Sequence, residues 1–318
     1  MGTRKRPKPI KLKHDPERAR RIRLLTAHLL LAALIFGGVG AGYYYADEYV
    51  EQRVGLSAQP LIIVLKNRPP WMNDFLVEQI AALARPIGPH SIFDHKLLVD
   101  TAEMLGRNPW VRQVRSVRRA YTRRPGDTLE IDCEYRAPVA LVKWGAFYWL
   151  VDEHGVRLSE RFTEPDVANI QFGPDGRTRI RVIEGVKHAP PHVAGELWPG
   201  DDVRGGLKMV QYLFDRIYTD QILRVDVANF GGRVDLKDPQ LVLKTSFATQ
   251  IWWGRPPSDE DVDSFIEVST SRKLNDLRLA WEQFGRVDGK HKCLDIRFDK
   301  VTYLNEEETP PASPPDHH

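Results

Sequence analysis

The sequence predicts an α+β protein carried on one membrane helix: a β-α-α-β-β unit, then a strand-rich α+β region with two helices. Three observations lead there. Residues 24–45 form an uncharged run near the N-terminus. Residues 59–137 pass from helical apolar spacing to period-two alternation. Residues 138–304 are dominated by short strand-like runs between Gly, Pro, Asn and Asp turns.

Charge divides the chain before any fold does. It has 318 residues with 46 Lys+Arg against 43 Asp+Glu, a formal +3. Residues 1–23 alone carry +8, which leaves −5 for the other 295. The basicity therefore belongs to a tail. A nucleic-acid-binding body is disfavoured, because a phosphate-tracking surface needs clustered cations. Two cysteines exclude a disulfide scaffold and a Cys-based zinc ribbon. A hydrophobic fraction of 42% fits globular folding.

The first element is the anchor. At ~1.5 Å per residue, the run 24–45 measures about 33 Å, enough to cross a hydrocarbon layer of roughly 30 Å. Tyr43, Tyr44 and Tyr45 fit an interfacial aromatic belt. Basic residues precede the run, and Asp47, Glu48 and Glu51 follow it. The positive-inside rule puts the N-terminus in the cytoplasm and the body outside. A cleaved signal peptide is the competing reading, but its apolar core is usually shorter. Residues 46–58 read as a polar connector.

The β-α-α-β-β unit follows at 59–137. Leu61–Leu65 is a strand-like run. Asn73 caps a helix carrying Phe75, Val77, Ile80, Leu83 and Ala84, which stops before Pro86. Asp94 is the cap of a second helix, with Leu97, Leu98, Ala102 and Leu105 as its stripe and Gly106 at its end. Val111, Val114 and Val117 start a strand, and Arg123–Asp127 is a turn. Leu129, Ile131, Cys133 and Tyr135 then alternate with Glu130, Asp132, Glu134 and Arg136, as on a half-buried strand.

In the larger region, 138–304, a strand at Phe147–Val151 turns through Asp152–Gly155 into Val156–Leu158. A strand at Ile180–Val182 follows the Pro174-Asp-Gly turn. One helix is expected from Val203 to Tyr218, with Leu207, Val210, Leu213, Phe214 and Ile217 facing the core and Asp201 or Asp202 as cap. Strands are expected at 222–228, 233–237, 241–246 and 249–253. A second helix spans Arg272–Phe284, and a last strand spans Cys293–Leu304. Residues 305–318 are acidic and Pro-rich, the composition of a disordered tail.

This order resembles the bacterial division family FtsQ (DivIB in Gram-positive bacteria), and the first unit is similar to a POTRA domain. Four local stretches carry the resemblance: Asn108-Pro-Trp-Val111, Asp127-Thr-Leu-Glu-Ile131 with Glu134–Ala140, Leu150-Val-Asp-x-x-Gly155, and Leu294-Asp-Ile-Arg-Phe298. It spans about residues 1–304 and is thin between 160 and 250. Tyr135-Arg136 departs from the family's usual basic pair. Asp299–Leu304 lacks its usual glycine turn.

The resemblance implies a non-enzymatic single-pass scaffold of the divisome, set in the inner membrane at the septum. It implies binding to FtsB- and FtsL-like single-pass partners through the terminal strand. A terminal strand at a sheet edge can accept a strand from another chain. Leu294, Ile296 and Phe298 share one parity and Val301 and Tyr303 the other, which places a bulge or bend near Asp299-Lys300. The corresponding candidates for septal recruitment through the POTRA-like unit are Asn108, Pro109 and Trp110. The plainer alternatives are an ordinary core strand and a core tryptophan. A POTRA-bearing export adaptor and an anchored cell-wall hydrolase are the rival functions.

Chemical motifs are lacking: G-x-S-x-G, H-E-x-x-H, Walker A and G-x-G-x-x-G do not occur. The expectation is no catalytic residue, no cofactor and no metal. His188-Ala-Pro-Pro-His192 has two histidines four apart, but its proline pair opposes the helix that would aim both at one ion. Asp259, Glu260, Asp261 and Asp263 read as an acidic helix start. Cys133 reads as a core residue, and a bond to Cys293 is not expected.

Overall fold

The structure, a computed structural model, describes residues 16–54, 61–86, 95–120, 128–173, 178–258, 260 and 266–304. Asp94, the Arg123–Asp127 and Pro174-Asp-Gly turns, most of the 259–263 acidic run and the tail 305–318 lie outside them. The described chain is α+β, with six α-helices and two sheets.

Helix α1 runs Pro16–Val54 without a break. Within it, Arg23–Tyr49 is long and apolar enough to cross a membrane, and its apolar window is not buried by the rest of the described chain. The helix overruns the expected anchor at both ends. The connector expected from residue 46 is helical through Val54, because no glycine or proline interrupts the chain until Gly55.

The first unit comprises β1 (Ile62–Lys66), α2 (Asp74–Leu83), α3 (His95–Gly106), β2 (Val111–Ala120) and β3 (Thr128–Tyr135). Its sheet order is β1-β3-β2, with β1 parallel and β2 antiparallel to β3. Asn73 caps α2 by accepting the Leu76 N–H at 2.8 Å. The stripe differs from expectation: Leu76, Ile80 and Ala81 are buried, whereas Phe75 and Leu83 face solvent.

Strand β2 explains a puzzle in the sequence. Val111, Val114 and Val117 are three apart, a spacing foreign to a flat strand. Register shifts between Val111 and Gln113 and between Val114 and Ser116 absorb one residue each. The three valines then sit opposite Tyr135, Cys133 and Ile131, all on the apolar face of β3. The two extra residues are Arg112 and Arg115, and both reach the one carboxylate of Glu134. The bulges thus keep the core face intact and pair the strand's cations.

The second sheet has nine strands in the order β12-β11-β10-β9-β8-β7-β4-β5-β6. In chain order they are β4 (Pro138–Trp144), β5 (Phe147–Asp152), β6 (Arg157–Phe162), β7 (Arg181–Glu184), β8 (Ile222–Asp226), β9 (Leu241–Thr245), β10 (Gln250–Gly254), β11 (Cys293–Asp295) and β12 (Thr302–Leu304). The helices are α4 (Glu164–Gln171), α5 (Asp201–Leu213) and α6 (Thr270–Phe284). Val142, Ile183, Val225, Leu243, Ile251 and Leu294 pair in one continuous row across six strands. All are buried, in one core with Leu207, Val210 and Leu213 of α5 and Leu274 and Leu277 of α6.

The opposite face changes character along a single row: Leu141, Val182, Arg224, Lys244, Gln250, Cys293, Leu304. Leu141 and Val182 are fully buried in a cluster that also holds Trp110, Val111, Ile131 and Cys133 of the first unit. Beyond them the row turns ionic. Glu184 accepts from Lys244 at 2.5 Å and Arg224 at 3.1 Å, and Arg224 also reaches Glu164 at 2.6 Å. The first unit therefore covers one half of this face and shares its core.

Five expectations are corrected here. The region has three α-helices, not two: α4 was missed because only Val167 and Gln171 of it are buried. Helix α5 ends at Leu213, five residues short of expectation. Asp215 takes φ 59° and turns the chain, so Phe214 and Ile217 leave the core face. Asp201 and Asp202 lie inside its first turn rather than at the cap, which is Gly200 at φ 99°. The strand at 233–237 does not form. Asn229 takes its backbone instead, accepting the Val234 and Asp235 N–H groups and donating to the carbonyls of Asp235, Asp238 and Pro239. The last strand is a hairpin: β11 runs parallel to β10, the chain reverses, and β12 returns antiparallel to β11.

Candidate interaction surfaces

Strand β12 ends the nine-stranded sheet, and among the described residues no strand pairs with its outer side. Its hairpin is held from beneath. Asp295 binds the Arg297 guanidinium with both oxygens, at 3.0 Å to Nε and 2.8 Å to Nη2. Arg297 Nη1 donates to the Lys237 carbonyl at 2.9 Å, and the same cation lies over the rings of Trp252 and Phe298 at 5.1 and 5.0 Å. Burial opposes the charge of Arg297, but the bonds to Asp295 outweigh it and raise its pKa. Arg272 pairs with Asp299 at 2.6 Å, and His291 packs on Tyr303 with ring centroids 4.2 Å apart.

The five sequence candidates divide accordingly. Leu294 and Ile296 are core residues, at 1% and 0% exposure. Phe298 and Tyr303 are 43% and 42% exposed, and Val301 is half-buried. Only the last three stand where a partner can touch them. Sequence reasoning missed Arg297, whose signal was present: it lies two residues after Asp295, at the start of the reversal.

The second candidate, Asn108-Pro-Trp-Val111, lies elsewhere. The Asn108 side chain accepts the Trp110 N–H at 2.9 Å, and Val111 N–H donates to the Asn108 carbonyl at 2.9 Å. Trp110 is 6% exposed. Its indole N–H donates to Glu160 of β6 at 3.1 Å, and its ring sits 6.0 Å from that of Trp71. Pro109 abuts Gly195, where an added Cβ would sit 3.7 Å from the proline Cα. The Arg136 N–H donates to the Trp110 carbonyl at 2.9 Å, and the Arg136 guanidinium pairs with buried Asp152 at 2.7 Å. Arg112 bridges Glu134 and Glu153. This is the seam between the two sheets. Asn108 and Pro109 keep partial exposure, while Trp110 offers an external partner almost no surface.

The remaining polar candidates serve locally. The carbonyls of His188 and His192 accept from Trp198 and Arg157. Both cysteines are free; Cys133 is buried and Cys293 half-buried. Burial pushes each thiol up to about 11. Among the described residues, no group of three or more His, Cys, Asp or Glu is placed to hold a metal ion.

In comparisons with known proteins, no family model and no curated protein matches this chain.

Proposed function

We propose that this chain is a membrane-anchored, non-catalytic docking protein of the FtsQ/DivIB type, with α1 as its single-pass anchor and a POTRA-like first unit. Its N-terminus lies in the cytoplasm and its body outside the inner membrane, at the division septum. The observation that carries the reading is the β11–β12 hairpin: a sheet edge fixed by Asp295 and Arg297 from below and displaying Phe298, Val301 and Tyr303. An edge so held can add a partner strand at little ordering cost. The partners expected are short single-pass division proteins of the FtsB and FtsL kind. The element order β-α-α-β-β ahead of the larger sheet supports the same reading.

Two experiments test it. A fluorescent fusion is expected at mid-cell before constriction, and uniform envelope labelling would refute the division reading. A chain ending at Val301 lacks β12 but keeps Leu294 and Ile296. It is expected to lose capture of a short coiled-coil membrane partner while keeping its melting temperature. Unchanged capture would remove the edge from the argument.

A further inference from the structure

A second surface lies four strands away from that edge, where α5 gives out. The loop Phe214–Tyr218 stands between two grooves. The larger, of about 800 Å³, is lined by Arg179, Arg181, Arg216, Phe214, Ile217 and Trp281, together with the carboxylates Asp215 and Asp220. The smaller, of about 320 Å³, adds Asn275 and Arg278 on the far side of the same loop. Such volumes match sites that take small ligands and short peptide segments.

The loop is held rigidly. Thr219 donates its hydroxyl to the Leu213 carbonyl at 2.7 Å, and Arg216 Nε donates to the Tyr212 carbonyl at 3.2 Å. Tyr218 is buried, and its hydroxyl donates to the Leu274 carbonyl at 3.1 Å. Fixed in this way, Phe214 and Ile217 remain 64% and 58% exposed. Large apolar side chains presented on a rigid support mark contact surfaces.

The larger groove carries three arginines against two aspartates, and the most buried of these charges is the cation Arg181. Arg181 is almost fully buried and donates to the carbonyls of Ile222 and Thr219 and to the Thr219 hydroxyl. Among the described residues, no carboxylate lies in ion-pair range of it. Asp220 favours its charge from a distance but gives an oxygen to the Thr178 N–H at 2.8 Å. Burial lowers the Arg181 pKa to about 10, so it is still a cation at neutral pH. No lysine lines either groove. Arginine with aromatic residues and without lysine is the composition of binding hot spots.

We propose that this groove binds an acidic, extended peptide segment of a protein partner. Large apolar side chains of the segment pack on Phe214, Ile217 and Trp281, and its carboxylates meet Arg216 and the field of Arg181. The site is independent of the β12 edge.

The test is selection without a preset ligand. A random twelve-residue phage library is panned on the detergent-solubilised full chain, and enriched peptides are synthesised with a fluorescein label for anisotropy. Sequences combining Asp or Glu with a large apolar residue are expected. Binding is expected to weaken at least tenfold with Arg216→Glu, with Phe214→Ser, and with the Asn/Gln form of the peptide. Both substitutions are at exposed positions, and circular dichroism is expected to be unchanged by them. The chain ending at Val301 is expected to bind the peptides as the full chain does, which separates this site from the edge. No enrichment, enrichment of neutral or basic sequences, binding that survives both substitutions, or binding lost only with β12 would each overturn the proposal. Self-association abolished by Arg216→Glu would assign the groove to a second copy and overturn it as well.

Discussion

The seam at Trp110 and the hairpin at Phe298 are built from similar parts. Each has an aromatic ring, an aspartate bound by arginine, and a tight turn. They differ in what lies beyond. At the seam, Glu160 of β6 holds the Trp110 indole and the Gly195 loop abuts Pro109, so the burial of Trp110 is spent inside the molecule. At the hairpin the sheet simply stops, and Phe298 and Tyr303 keep surface to offer. The same chemistry serves cohesion in one place and display in the other. Neighbours, more than residue type, decide which.

That contrast can be broken at several points. Trp110→Ala should be the most damaging, at about 3–5 kcal/mol for a buried aromatic. Because Trp110 belongs to the cluster holding Leu141 and Val182, urea unfolding should shift as one transition for both units. Arg136→Met should follow, at about 3 kcal/mol, since it strands Asp152, which is 1% exposed. Asp152 would keep the N–H groups of His154 and Val156, so Arg136→Met with Asp152→Asn should recover part of the loss.

The ionic half of the sheet sharpens the comparison through pH. Burial works against the charge of Glu184, yet the bonds from Lys244 and Arg224 outweigh it and hold its pKa below 4.5. A depressed carboxyl contributes stability that is present above its unfolded value and is lost as pH falls through the folded one. Acid unfolding monitored below pH 4.5 should therefore be less steep in Glu184→Gln. An identical acid limb would show that the ladder contributes nothing. Phe298→Ser should have the smallest effect on stability, within about 0.5 kcal/mol. It should nevertheless weaken partner capture at least tenfold, the reverse of the pattern at Trp110.

Much of the fold was legible because local pattern and tertiary outcome agree. The alternation in β3 is carried whole into the sheet. Where they disagree, a particular side chain or bend intervenes. The alternation at Arg233–Lys237 imitates a strand, but Asn229 claims the backbone groups a neighbour would need. The helical period runs on past Leu213 in sequence, but the extended backbone of Phe214 and the left-handed Asp215 after it end the helix. Helix α4 had its own signal in Thr163 and Asp166, whose carboxylate accepts from the Thr163 N–H and hydroxyl. The parity change near Asp299 was correctly located, and it marks a full reversal rather than a bend. For the candidate surfaces, sequence named both Trp110 and Phe298 as candidates. It left open which one faced outward, because that depends on Glu160 and Gly195, dozens of residues away.

The two free thiols make the molecule its own stopwatch. Cys133 lies in the core shared by both units, while Cys293 sits beside β12, opposite Leu304. Both thiols are held protonated near neutral pH, which slows alkylation at each; the buried Cys133 also needs an opening, whereas Cys293 is half-buried. Modification at Cys293 then reports on the access that β12 leaves to the edge, and modification at Cys133 on the opening of the shared core. The ratio of the two rates, read by mass spectrometry on the unaltered chain, measures how far the edge can open while the rest stays shut.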